Sequence, residues 1–193
     1  MAWIKTGSTT LTIAGDNLDI TSFTASIFNN ILAHYSPTGG DAQNLTTFNN
    51  VSNASYSRRK STNGGSDFTS DSETSINNSY QTDDDHFYVM YGADATGEEK
   101  LFIEHLVDTG GSGGGLAPDR VEYVFKMVND GDTRVTRVDF TNGSSGSYDT
   151  DSNITVLGSD GTESLGVQDG AIFYETDTNK EYLLSNNTWT EIP

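Results

Sequence analysis

A serine set between glycines is the first feature of this sequence that could carry out chemistry. Gly110-x-Ser112-x-Gly114 has the spacing of a nucleophile elbow, in which an exposed serine attacks an acyl carbon. Such an elbow needs a turn from a strand into a helix. Here more glycine follows the serine, then Leu116-Ala117-Pro118 and another predicted strand. We therefore predict that Ser112 is not catalytic and assign no catalytic residue.

The three histidines do not complete a catalytic or metal site by their spacing. A hydrolase needs a histidine within hydrogen-bond reach of its nucleophile and an acid that orients the histidine. His34, His86 and His105 share no metal-ligand spacing, and the chain has no cysteine, which argues against structural zinc. We expect His105 to lie in the core or on a sheet face, and His86, after Asp83-Asp84-Asp85, to lie at a solvated strand entrance.

Calcium is the one cofactor that the sequence leaves open. Asp149-x-Asp151-x-Asn153 begins like an EF-hand loop, but Ile154 takes the glycine position and Asp160 only approximates the terminal acid. Asp83–Asp85 and Asp130-Gly131-Asp132 offer further oxygen ligands. The simpler alternative is that all of these are solvated acidic turns, so we assign no metal ligand.

Sugar chemistry has candidate residues but no defined site. Glycosidases need two carboxylates held across a cleft, and the acids here are too numerous to nominate a pair. Four aromatic residues are candidates for stacking on sugar rings: Tyr56, Tyr80, Tyr148 and Trp189. We favour core or subunit contacts for them, because Tyr and Trp also anchor protein interfaces.

Composition narrows the classes of function. The 193 residues carry a net charge of −18, which disfavours binding to nucleic acid or to anionic lipid surfaces. The start of the chain has no long apolar segment of a signal peptide, and no apolar run approaches the roughly 20 residues needed to span a bilayer. We expect a protein made in a cytoplasm without a secretion signal and without membrane insertion.

Alternating residues predict that the chain is all-β. Runs such as Phe87–Tyr91, Leu101–Val107 and Val121–Met127 alternate with period two and are rich in β-branched and aromatic residues. We predict about ten strands, spaced as in a sandwich or barrel. Leu11 and Ile13 begin this series. The glycine-rich Gly110–Gly115 predicts a flexible loop between two paired strands.

Two segments have weaker signals. Ser26–Tyr35 fits both helical and strand spacing, and we favour a turn or short helix near Thr21–Thr24 that leads into a strand. Asn49–Gln81 is rich in Ser, Asn and Asp, and predicts long surface loops with one or two edge strands.

The chain divides into two parts in this prediction. Residues 1–160 form an antiparallel, jelly-roll-like β-sandwich, and residues 161–193 form a small C-terminal β-hairpin module. In the second part Ala171–Glu175 and Lys180–Leu184 flank an Asx-type turn, and Trp189 follows an Asn-rich turn. A lone hairpin is marginal in water, so we expect it to pack on the main domain or on a neighbouring subunit.

Several segments resemble small virion-associated structural proteins of marine tailed phages. They are Tyr56–Gly65 (YSRRKSTNGG), Gly97–Ile103 (GEEKLFI), Ala117–Glu122 (APDRVE) and Gly146–Gly158 (GSYDTDSNITVLG). Separately, Ala171–Trp189 resembles a hairpin module of phage tail-fibre and other virion surface proteins. The resemblance implies a jelly-roll-like subunit that assembles on a particle, with no catalytic residue to carry over.

The functional prediction is therefore a non-enzymatic structural protein of the virion surface. We expect capsid decoration, a head fibre or a tail-fibre component, with other virion proteins as partners and a homo-oligomer in which a trimer is favoured. The alternative is a carbohydrate-binding, lectin-like module, calcium-assisted or not, that contacts a host-surface glycan.

Overall fold

The computed structural model describes residues 3–111, 113–128, 133–160, 170–186 and 188–192, with the backbone alone for residues 78–82. Strands are the regular elements of the described chain. In chain order they are β1 Ile4–Thr10, β2 Asn17–Ile20, β3 Phe28–Tyr35, β4 Pro37–Thr38, β5 Ala42–Phe48, β6 Tyr56–Thr62, β7 Phe68–Glu73, β8 Ile76–Thr82, β9 His86–Ala93, β10 Lys100–Asp108, β11 Asp119–Met127, β12 Val138–Asn142, β13 Ser147–Tyr148, β14 Asn153–Ser159, β15 Ile172–Glu175, β16 Lys180–Ser185 and β17 Thr188–Ile192.

An eight-stranded sheet forms one layer, in the order β1-β14-β3-β9-β10-β11-β6-β7. Every pairing within it is antiparallel. The central strands β9, β10 and β11 come from the alternating runs in the sequence, and the glycine-rich segment connects β10 to β11. The prediction of an antiparallel all-β fold is confirmed.

A four-stranded sheet, β2-β12-β5-β8, packs against the inner face of the large sheet. Phe48 of β5 stacks on Phe102 of β10, with ring centroids 4.7 Å apart. Tyr88 of β9 meets Phe140 of β12 edge to face, with ring centroids 5.7 Å apart. These contacts belong to one buried hydrophobic cluster shared by both sheets, as in a β-sandwich. The jelly-roll-like strand order stays a prediction.

Three local predictions differ from the structure. β1 ends at Thr10, so Leu11 and Ile13 follow the strand rather than form it. Residues 21–26 have no regular structure, whereas the predicted strand after them is present as β3. Residues 49–81 contain β6, β7 and most of β8 rather than mainly loops. Their polar residues pair in antiparallel register, and this pairing satisfies the backbone groups despite the low hydrophobicity.

The C-terminal segment forms a three-stranded antiparallel sheet, β15-β16-β17. The two predicted strands are present, and the residues around Trp189 add a third strand to the predicted hairpin. Leu184 is its buried hydrophobic residue. We refer to residues 170–192 as the C-terminal module.

Among the described residues, none forms a helix with the length and apolar character needed to cross a membrane.

Candidate functional site

Strand β10 places three apolar side chains outward, and it places charged side chains inward beside the core residues Phe102 and Leu106. Leu101, Ile103 and Val107 are 56%, 52% and 41% exposed, whereas Lys100 and Glu104 on the other face are fully buried. A sheet with one face in the core normally shows the reverse arrangement. The outer face of the large sheet is therefore the unusual surface of this protein, and alternation in the sequence did not reveal it.

The outward side chains form cross-strand rows, because neighbouring strands pair in continuous register. One row runs across β3, β9, β10, β11 and β6 as Phe28, Ala93, Leu101, Lys126 and Ser57. The next row contains Asn30, Tyr91, Ile103, Val124, Arg59 and, on β7, Thr69. Tyr91 and Val124 are 47% and 48% exposed, so the middle of both rows is apolar and accessible to a partner.

These rows form the floor of an open trough of about 820 Å³. Trp3, next to β1 at one edge of the sheet, lines the trough, and Thr69, Ser70 and Asp71 of β7 line it from the other edge. Because both edges border the same space, the outer face of the sheet is concave here. We call this surface the trough.

The charged groups of the trough are mainly cationic, although the chain as a whole is strongly acidic. The exposed Arg59 and Lys126 line it together with one carboxylate, that of Asp71. The side chain of Arg58 is only 7% exposed, because it lies on the inner face of β6 near Glu73. Arg59 pairs with Asp67 at 2.8 Å and Lys126 pairs with Glu99 at 2.8 Å, and all four side chains are 41–57% exposed. Exposed ion pairs of this kind contribute little to stability and can exchange partners.

The inner face of the large sheet also holds buried polar groups, at the ends of β3 and β9 that lie away from the trough. Tyr35 and Tyr88 join their hydroxyl groups at 2.8 Å, and the Tyr35 ring stacks on His86 with centroids 4.6 Å apart. Burial lowers the pKa of His86 to about 4, although a backbone hydrogen bond with Asp84 opposes this change. Burial also raises the pKa of both tyrosines well above their usual value.

The histidines do not come together as a catalytic or metal site. The prediction that His86 lies at a solvated strand entrance is wrong, because the strand register turns its ring into the core beside Tyr35. His105 is exposed on the outer face of β10, which agrees with the sheet-face alternative, and His34 is exposed on β3.

Two carboxylates accept hydrogen bonds from the beginning of the glycine-rich loop. Ser112 lies outside the described residues. The Asp84 carboxylate accepts hydrogen bonds from the Thr109 hydroxyl group and the Gly111 N–H, each at 2.9 Å. The Asp108 carboxylate accepts one from the Gly110 N–H at 2.9 Å. These bonds give Asp84 and Asp108 a structural role beside the loop.

The acidic turns that left calcium binding open are described in part. The Asp149 carboxylate accepts the Thr150 N–H at 2.7 Å, and the Asn153 side chain donates to the Asp151 carbonyl at 3.0 Å, so both lie in a local turn. Asp130-Gly131-Asp132 lies outside the described residues. In the part of the chain that the structure describes, no group of three or more His, Cys, Asp or Glu residues is arranged to hold a metal ion.

The candidate sugar-stacking aromatics whose side chains the structure describes divide between core and surface. Tyr56 and Tyr148 are fully buried, as the preferred core interpretation predicted, and Trp189 is 42% exposed. The side chain of Tyr80 lies outside the described residues.

Trp189 belongs to an aromatic group on the C-terminal module. Its ring meets Phe173 edge to face at 6.1 Å, and Phe173 lies 6.2 Å from the ring of Tyr182. With Glu175, these three residues line a shallow pocket of about 340 Å³.

Comparison of the chain with protein-family models, with curated proteins and with solved structures finds no match.

Proposed function

We propose that this chain is a non-enzymatic structural protein of the surface of a tailed-phage virion, where it mediates assembly and surface contact. It would serve there as a capsid decoration, as a head fibre or as a tail-fibre component. Its partners would be other virion proteins and further copies of itself, with a trimer favoured. The resemblance of Tyr56–Gly65, Gly146–Gly158 and the C-terminal module to virion proteins supports this proposal.

The observation that carries the assembly role is the exposed apolar floor of the trough. Tyr91, Leu101, Ile103 and Val124 lie side by side, each about half exposed. Monomeric proteins seldom leave large contiguous apolar patches in water, because each exposed Å² forgoes about 25 cal/mol of burial energy. Such a patch on a chain that is otherwise polar and acidic favours a protein partner over a free monomer.

Electron microscopy tests the location directly. Phage particles purified from a lysate of cells that produce this chain would be labelled with gold-conjugated antibody against it. We expect gold on the surface of intact heads, fibres or tails. Label confined to the soluble fraction, with none on particles, would contradict the virion role.

Light scattering tests the assembly role on the purified chain. We expect the mass of a symmetric oligomer, with a trimer favoured, with or without added calcium. A monomer under both conditions would argue against a head fibre or a tail fibre. The remaining role would be that of a decoration protein that assembles only on a preformed capsid shell.

A second candidate function is carbohydrate binding, favoured by the pocket formed by Phe173, Tyr182 and Trp189. Aromatic rings beside a carboxylate such as Glu175 suit the apolar faces and hydroxyl groups of a sugar. A glycan array with and without calcium, comparing the wild type with W189A and with T190A as the control, tests it. Binding lost only in W189A supports this function, and no binding in any condition rejects it.

A further inference from the structure

The C-terminal module has more apolar surface than it can cover by itself. Ile172, Phe173, Tyr174 and Trp189 are 64%, 51%, 49% and 42% exposed, and Leu184 is the buried hydrophobic residue. In the register of β15-β16-β17, Phe173 and Trp189 lie on one face, whereas Ile172 and Tyr174 lie on the other. Because a sheet this small buries little of its own apolar surface, it gains stability from packing against another surface.

The trough is an open surface of matching character. All the residues that line it belong to the β-sandwich, from Trp3 to Lys126 in sequence number. No described residue of the C-terminal module lines it. The chain thus presents two unpartnered apolar surfaces at the same time, one concave and one on a small sheet. A second copy can fill the trough of the first.

The charged side chains that line the trough are mainly cationic, whereas those of the C-terminal module are mainly acidic. Two exposed cations, Arg59 and Lys126, line the trough with the carboxylate of Asp71. Each of the two cations is held in an exposed ion pair that can exchange its partner. The module carries four carboxylates, on Glu175, Asp177, Glu181 and Glu191, against the single lysine Lys180. Two troughs placed face to face would bring like charges together, whereas a module in a trough brings opposite charges together.

We propose that the C-terminal module of one copy docks into the trough of the next copy. The face bearing Phe173 and Trp189 packs on Leu101, Ile103 and Val124, and the acidic edge of the module lies near Lys126 and Arg59. The contact is heterologous, since the two copies contribute different surfaces, and such contacts close into rings such as a trimer or continue as filaments. This inference deepens the proposed assembly role and rests on it.

Two full-length variants test the contact by complementation. I103E places a carboxylate in the apolar floor of the trough, and W189E places one on the docking face of the module. We expect each variant alone to be monomeric by light scattering at concentrations where the wild type is assembled. An equimolar mixture should form a heterodimer, because the intact module of I103E fits the intact trough of W189E.

Controls separate the docking defect from misfolding. Ile13 is 77% exposed and does not line the trough, so I13E should assemble like the wild type. K126E, a change at a half-exposed side chain, should weaken assembly at least tenfold without lowering the melting temperature. Circular dichroism of each variant confirms that the strands are retained.

Four results would overturn the docking proposal. They are a wild-type chain that stays monomeric, assembly that persists in both I103E and W189E, assembly lost in I103E alone, and variants that fold but do not complement each other. Persistent assembly would leave the proposed virion role standing through another surface. The gold labelling of particles tests that role separately, so the two proposals can fail independently.

Discussion

Asp94 and Lys100 form an ion pair 3.0 Å long in which neither side chain is exposed to solvent. The Asp94 carboxylate also accepts the Val135 N–H at 2.6 Å, and the Lys100 ammonium group donates to the Ala95 carbonyl. Burial raises the pKa of Asp94, and the contacts with Lys100 and Val135 oppose that rise. The pair ties the start of β10 to the residue that follows β9 and to the segment before β12.

Removing one member of this pair should destabilise the sandwich strongly. K100M leaves the Asp94 carboxylate buried without its cation, and losses of about 3–5 kcal/mol are usual for such changes. Urea denaturation monitored by circular dichroism measures the free energy of unfolding. The double variant D94L/K100M should lose less than the sum of K100M and D94L, because no buried charge remains.

K126M is the matched control for K100M. Lys126 pairs with Glu99 at the surface, so its loss should cost less than about 1 kcal/mol. Equal losses in K100M and K126M would show that the buried pair contributes no more than an exposed one.

Gly92 on β9 should not tolerate a side chain. A Cβ at this position would overlap the ring of Phe102, which is stacked between Phe48 and Phe125 at centroid distances of 4.7 and 4.8 Å. We expect G92A to lower the free energy of unfolding by about 1–3 kcal/mol, the usual cost of overpacking a core. Thermal melting of G92A measures this.

G115A provides the comparison for G92A. A Cβ on Gly115 would meet nothing within 4 Å, so its melting temperature should stay near that of the wild type. If G92A melts like G115A, then the Phe102 ring is free to move and the core is looser here than described.

His86 should make stability depend on pH between about 4 and 6.5. Its pKa is lowered to about 4 in the folded protein, so in this range the unfolded chain binds more protons than the folded chain. The contribution of the neutral His86 side chain to the free energy of unfolding is fully present above pH 6.5 and is lost as the pH falls towards 4. It amounts to roughly 3 kcal/mol.

Urea denaturation of the wild type and H86F across this range tests the contribution of His86. Phenylalanine keeps a ring beside Tyr35 but does not titrate, so H86F should show a shallower loss of stability on acidification. H105F, a change at an exposed histidine, should keep the wild-type slope. Parallel curves for H86F and the wild type would refute the assignment.

Deleting residues 170–193 should leave the sandwich folded. The strands of the C-terminal module pair with each other and with no strand of the two large sheets. We expect the far-ultraviolet circular dichroism to retain its β signal while light scattering shows weakened assembly. An unfolded truncation would contradict the division into residues 1–160 and 161–193.

The sequence pattern predicted well those strands in which residue types alternate with a period of two. The runs that became β9, β10 and β11 were identified because period-two alternation reflects the pleat itself. For residues 49–81 the sequence predicted only one or two edge strands within long loops, and it did not locate β6 and β7, because most of their residues are polar. Their pairing partners, not their hydrophobicity, keep them in the sheet.

The sequence by itself determined that the protein is all-β, acidic and cysteine-free, and where most of its central strands lie. Only the tertiary structure decided which face of β10 turns inward, because that strand carries apolar residues on both faces. Its register with β9 and β11 places Phe102 and Leu106 in the core together with Glu104 and with Lys100, which pairs with the buried Asp94. Leu101 and Ile103 are left outside as the floor of the trough. Such an outcome depends on contacts between residues far apart in the chain, which local periodicity does not encode.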